Sequence, residues 1–238
     1  MEQITAIVLA AGKGNRMHSE IPKQYLTLYG KPVLYYSLKC FEESPVGEIV
    51  LVAGENELDY CRTDIVDRYQ FHKVRQIVPG GTERYWSVKR GLEAAAGASY
   101  VLIHDAARPC ITVDMIERSI AEVKRSGACT VGMPVKDTIK LVDEQGNGMD
   151  TPPRNRLWQI QTPQSFSYDE LWSAYTKMER EQAVDITDDT MIIERYLGKK
   201  TRVIEGSYYN IKITTPEDLQ VAATFLKKVK KVVDTAQS

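Results

Sequence analysis

The 238 residues carry 31 Lys and Arg against 32 Asp and Glu, so no bulk positive field recruits nucleic acid or a membrane surface. Hydrophobic residues are 43% and charged residues 26%, the balance of a soluble globular chain, and the length fits one large α/β domain. No run approaches the roughly 18–20 apolar residues of a membrane helix. The opening MEQITAIVLAAG has no basic stretch ahead of its apolar one, so we expect no leader peptide and a cytoplasmic protein.

Residues 4–9 are a short apolar run of the kind that forms a buried central strand. The run breaks into Ala10-Ala11-Gly12-Lys13-Gly14-Asn15-Arg16, where small residues admit a ligand to the backbone and successive amides can cradle an anion. Arg16 and Lys23 flank this loop. The pattern reads as a phosphate site, or as an ordinary tight strand-to-helix turn with solvated charges. It is not a P-loop, since G-x-x-x-x-G-K-[ST] is absent. It is not a dinucleotide fingerprint either. Met17 replaces the third glycine, and no carboxylate follows near residue 34.

Pro32 opens a predicted helix over 32–43, with Val33, Leu34, Leu38 and Phe41 inward. Strands are predicted at 48–53, 74–78, 99–104 and 128–134. Helices are predicted at 58–69, 83–95 and from Thr112, which can cap its helix. Such regular alternation implies crossover helices on a mostly parallel sheet. In such sheets ligands bind at the carboxyl ends of strands, so the loops 10–16, 79–87 and 105–109 are expected to share one crevice.

Residues 136–160 break the rhythm. Alternation over 136–142, a turn at 144–148 and a return over 151–160 predict a protruding β-arm, packed on a partner subunit or on its own domain. Further helices are predicted at 168–181, 191–197 and from Thr215-Pro216-Glu217-Asp218, with a strand at 201–205 and an extended piece carrying Lys212. The last helix is expected to fray into a basic tail from 227. Cys40, Cys61, Cys110 and Cys129 form no C-x-x-C pair and are expected to be free thiols in a reducing cytoplasm. His18, His72 and His104 lack metal-ligand spacing.

The loops form a joint pattern. Ala10-Ala11-Gly12-x-Gly14-x-Arg16-Met17, Pro22-Lys23-Gln24, Gly80-Gly81-x-x-Arg84-x-x-Ser87 and His104-Asp105-Ala106-Ala107-Arg108-Pro109 occur together. So do Val135-x-Asp137-Thr138, Gln161-Thr162-Pro163-Gln164 and Asn210-Ile211-Lys212. Over about residues 4–226 the chain resembles the 2-C-methyl-D-erythritol 4-phosphate cytidylyltransferases of non-mevalonate isoprenoid biosynthesis.

The resemblance implies a Rossmann-like, mostly parallel sheet flanked by helices over 1–238, with the arm at 136–160 inserted for dimerisation. It implies transfer of a cytidylyl group from CTP to a polyol phosphate, with Mg²⁺ and release of pyrophosphate. By resemblance, Arg16 and Lys23 stabilise the transition state and the leaving pyrophosphate, while Arg154 and Lys212 hold the acceptor phosphate. The nucleotide would meet the Gly12 loop, backbone groups of Ala10, Ala11 and Gly81, and the Ser87 hydroxyl. Asp105 and Arg108 would meet ribose or polyol hydroxyls, with Asp105 also a metal contact. Thr138 and Arg154 would act in trans within a homodimer. Thr82 stands where many members have Asp, so one expected negative charge is missing. The rivals are the same chemistry on ribitol 5-phosphate and a CTP-binding module without turnover.

Overall fold

The computed structural model describes residues 2–12, 14, 17, 19, 21–181 and 185–236, with side chains through 229. Eleven strands and seven α-helices follow in the order β1 (Ile4–Leu9), β2 (Thr27–Leu28), β3 (Lys31–Pro32), α1 (Val33–Glu43), β4 (Glu48–Ala53), α2 (Leu58–Tyr60), β5 (Val74–Pro79), α3 (Arg84–Ala94), β6 (Tyr100–Asp105), α4 (Val113–Ser126), β7 (Ala128–Pro134), β8 (Leu141–Val142), β9 (Gly148–Asp150), β10 (Trp158–Ser167), α5 (Tyr168–Arg180), α6 (Asp189–Leu197), β11 (Arg202–Glu205) and α7 (Pro216–Ala236). The main sheet has seven strands in the order β11-β7-β10-β6-β1-β4-β5, all parallel except β10. This is the mostly parallel α/β sheet expected from the alternation.

Alternate residues of the central strands face opposite layers, as the period of two requires. Ala6, Val8, Ile49, Leu51 and Leu102 pack with Leu34, Leu38 and Phe41 of α1 and Ile116 of α4. Ile7, Val50, Val52, Val101 and Ile103 pack with Val88 and Leu92 of α3, Leu171 and Tyr175 of α5, and Ile192 of α6. A smaller cluster seats α7 through Ala222 against Met17, Leu28, Val33 and Ile213. The chain runs from β1 outward through β4 to β5, then returns to β6 on the other side of β1. The order reverses between β1 and β6, which opens a crevice at their carboxyl ends.

Four local expectations change. Pro32 caps α1 from outside, with extended backbone, rather than forming its first turn. After α2 the chain continues as a π-helix over Cys61–Asp67. Only Leu141–Val142 and Gly148–Asp150 pair in the arm, because Pro152 and Pro153 have no N–H to extend the ladder. Trp158, Gln159 and Ile160 belong instead to the main sheet, opposite Pro134, Met133 and Gly132. The backbone of α7 stays helical to Ala236, past the expected fraying at 227.

Candidate active site

A cleft of about 690 Å³ opens at the carboxyl edge of the sheet, over the β1–β6 reversal. Leu9 and Asp105 end these two strands as register partners, so the loops that follow must leave side by side. Ala11, Gly12 and Gly14 line one wall, Gly81, Thr82 and Ser87 a second, and Asp105 and Lys212 the floor, with Lys23 across the opening. The three loops expected to converge do so.

The walls that carry Ala11 and Ser87 touch. A side chain at Gly80 would run into the Ala11 methyl and come within 2.9 Å of Ser87 Oγ, so only glycine permits this approach. Gly81 N–H donates to Ser87 Oγ at 3.0 Å, and that hydroxyl donates to the Glu83 carbonyl at 3.3 Å. Gly14 has φ +64°, and a Cβ there would lie 3.3 Å from the Lys23 stem. The positive φ turns the loop so that it lies along that stem.

The floor is a charge cluster built around two buried carboxylates. Asp105 meets Lys212 Nζ at 2.9 Å, Arg84 Nε at 3.3 Å and Arg108 Nε at 3.5 Å. Burial opposes its ionisation, but Arg84, Lys212 and Arg108 outweigh burial and hold its carboxyl well below the usual range. Arg84 also reaches Asp189 of α6, Nη1 to Oδ2, at 2.8 Å. Asp189 accepts further from Tyr175 Oη at 2.6 Å, and its backbone N–H donates to Gln164 Oε1 at 2.9 Å. Three cations thus face two carboxylates at the floor, and Lys23 and Glu83 add one charge of each sign to the cleft lining.

His104 lies directly beneath. Burial pushes its imidazole down to about 3, so it is neutral at ordinary pH. The Thr162 hydroxyl accepts from Asp105 N–H at 3.1 Å and donates to His104 Nδ1 at 2.9 Å, which leaves Nε2–H to donate to the Arg108 carbonyl at 3.3 Å. The ring is a scaffold for the Asp105 turn. It is held away from any role as a base.

The family model for 2-C-methyl-D-erythritol 4-phosphate cytidylyltransferase (IspD) matches residues 4–228. The chain belongs to that family. It is therefore a cytidylyltransferase. The enzyme of that name from Lachnospira eligens is 50% identical over 225 residues, covering 94% of this chain and 99% of the relative. The one from Lachnoclostridium phytofermentans is 48% identical over 228 residues, covering 96% and 98%. Among solved structures, 4-diphosphocytidyl-2C-methyl-D-erythritol synthase from Anaerococcus prevotii superposes with a TM-score of 0.83 at 31% identity, covering 95% of this chain and 96% of that one.

Within this cytidylyltransferase, Ala11, Gly12, Lys23, Gly81, Thr82, Ser87, Asp105 and Lys212 are gathered at one cleft. Ala10 is not exposed to it. Its N–H donates to the Val52 carbonyl at 2.7 Å and its carbonyl accepts from the Gln24 amide at 2.5 Å. Arg108 is tied down beside the cleft, to Asp105 and to the Asn210 carbonyl at 2.9 Å. Thr138 and Arg154 are exposed on the arm, away from this cleft, with Arg154 donating to the Lys136 carbonyl at 2.9 Å. Arg16 lies outside the described residues.

Arg84, which lines the cleft, and Asp189, which anchors it, are not singled out by the sequence pattern. Arg84 stands in the glycine-loop motif, which assigns it no role. Nothing local distinguishes Asp189 from Asp188, which caps α6 through Met191 N–H. Among the described residues, no group of three or more His, Cys, Asp or Glu forms a metal cage. Asp105 Oδ1 faces Arg84 and Oδ2 faces Lys212 and Arg108, so Asp105 could give a cation one oxygen only by exchange with one of these partners, the other ligands coming from phosphates and water.

Proposed function

We propose that this cleft transfers the cytidylyl group of CTP to the phosphate of 2-C-methyl-D-erythritol 4-phosphate by positioning and charge neutralisation alone. A phosphate oxygen of the acceptor attacks the α-phosphorus. The bond to the β-phosphate breaks, and CDP-methylerythritol and pyrophosphate leave. The nucleophile is already ionised at neutral pH, so no general base is required, in keeping with a neutral, fully engaged His104. The barrier is the crowding of negative charge on the transferring group, and fixed cations lower it. Lys23, with Arg16, neutralises the triphosphate as pyrophosphate departs. Lys212 holds the acceptor phosphate in line, itself steered by Asp105. Mg²⁺, when bound, would withdraw charge from the triphosphate, and Asp105 is the residue that would offer it an oxygen.

The acceptor side is completed by Thr138 and Arg154 of a second copy, in a homodimer that exchanges arms. What supports this reading is the exposure of both residues away from their own cleft. Four buried free thiols favour a reducing cytoplasm as the compartment. Among the described residues, no helix is long and apolar enough to cross a membrane.

The observation that carries the reading is the Lys212–Asp105 contact inside a cleft that also presents Lys23 and two glycine loops. The test is pyrophosphate release from CTP and Mg²⁺ with methylerythritol phosphate or ribitol 5-phosphate. Turnover with the former is expected, with Lys23→Ala and Lys212→Ala each lower by on the order of 10²–10³-fold. Turnover with ribitol 5-phosphate alone, or CTP binding without release, overturns it.

A further inference from the structure

Lys23 stands on a single turn of 3-10 helix, Lys23–Tyr25, which would be a soft mount for a charge that must be placed to a fraction of an ångström. The turn is fastened at both residues after Lys23. The Gln24 amide donates to the Ala10 carbonyl at 2.5 Å, and Ala10 N–H in turn holds the Val52 carbonyl of β4. The Tyr25 hydroxyl donates to Glu57 Oε2 at 2.8 Å, and the same carboxylate oxygen accepts from Gly54 N–H at 3.2 Å. One turn is therefore tied to the ends of β1 and β4, the two strands beneath the cleft wall.

We infer that Tyr25 and Glu57, neither of which lines the cleft, are positioning residues that brace Lys23 for the reaction. The inference rests on the role given to Lys23 above.

Two features set this contact apart from ordinary packing. Tyr25 is buried, with its ring edge-on to Tyr60 at 5.0 Å, and a phenylalanine would fill the same space without bringing a hydroxyl indoors. A hydrogen bond adds little net stability because folding exchanges it for one to water, so its larger return here is geometric. The second polar partner of the Tyr25 hydroxyl is Cys61, whose Sγ lies 3.2 Å from the Tyr25 oxygen at the first residue of the π-helix. Burial pushes this thiol up to about 11 and raises the Tyr25 phenol as well, so both groups stay protonated. Proton donation then runs one way, from Cys61 to Tyr25 to Glu57, and the turn has one hydrogen-bonded arrangement.

The experiment pairs turnover with CTP affinity in Tyr25→Phe, Glu57→Ala, Glu57→Gln, Lys23→Ala and the Tyr25→Phe/Lys23→Ala double variant. Tyr25→Phe and Glu57→Ala should lower kcat on the order of tenfold, with KM for methylerythritol phosphate unchanged. Glu57→Gln keeps an acceptor oxygen and should retain turnover within about twofold of the parent. Tyr25→Phe should weaken CTP binding in the parent but not on the Lys23→Ala background. Wild-type kcat in Tyr25→Phe and Glu57→Ala overturns the brace, as does an equal loss of affinity on both backgrounds, which a merely structural role would give. Should Lys23→Ala keep full turnover and affinity, the role of Lys23 and the brace fall together. Should no protein turn over, the reaction assignment fails alone, and the affinity comparison still decides the brace.

Discussion

The cleft floor and the arm treat charge and apolar surface in opposite ways. Asp105 is 7% exposed and meets three cations of its own chain, each held by a further partner or by its place in the fold. On the arm, Leu141, Val142 and Met149 are 49%, 55% and 67% exposed, and the ladder beneath them is two short strands. A hairpin of that size is marginal by itself. The cleft draws its described cations and carboxylates from one chain, while the arm leaves apolar residues and the cation Arg154 exposed. In the function proposed above, the first region works within its own chain and the second serves a partner copy.

The sharpest way to break that comparison is to damage the two regions in separate chains. Arg154→Ala and Lys212→Ala are each expected to lose on the order of 10²–10³-fold in turnover. Mixed and re-equilibrated, they should recover to about a quarter of wild-type activity. A heterodimer with exchanged arms pairs one intact cleft with one intact arm, and half of the dimers are mixed. Pyrophosphate release before and after mixing checks this. No recovery means that Arg154 serves its own chain or no chain.

A second prediction compares carboxylates in the two regions. Asp189→Asn removes the buried charge that anchors Arg84 while keeping the shape of the side chain. It should cost about 3 kcal/mol of stability, since half of a buried pair is left uncompensated. Turnover should fall roughly tenfold as Arg84 loses its second anchor and Asp105 its fixed orientation. Asp137→Asn on the exposed arm should change stability by less than about 0.5 kcal/mol. Denaturant midpoints at constant m separate the two. Equal midpoints would mean that the Arg84–Asp189 pair is no anchor.

The layout of the sheet was legible because strand and helix periods differ, and because β1, β4 and β7 are short apolar runs with little choice of conformation. The cleft was legible because its residues end strands and sit in glycine loops. Two kinds of feature were not. Asp189 acquires its meaning from Arg84, 105 residues away, across two helices whose packing no local pattern reveals. The arm looked like a longer hairpin because alternation continues through Trp158, Gln159 and Ile160. Whether such residues pair with the arm or with β7 is a matter of register, and the two prolines decided it. Arg108 carried a plausible charge, but no local pattern links it to Asn210, 102 residues on, whose carbonyl holds it.

The smallest expected effect concerns Thr82, on the exposed rim of the cleft between Gly81 and Glu83. The resemblance noted from the loop motifs leads to the expectation of a carboxylate here. A carboxylate accepts charge-assisted hydrogen bonds roughly twice as strong as those of a hydroxyl. Exposure at the rim limits the gain to about 0.5–1 kcal/mol. Lys23, Arg84 and Lys212 line the same cleft and offset the added negative charge. Thr82→Asp should therefore lower KM for CTP about two- to fivefold and leave kcat alone, if the position reads ribose. With 2′-deoxy-CTP and 3′-deoxy-CTP the gain should vanish for at least one of the two. A raised KM that falls again with added salt would place Thr82 beside the triphosphate instead, because repulsion between rim charges is screened while a ribose hydrogen bond is not.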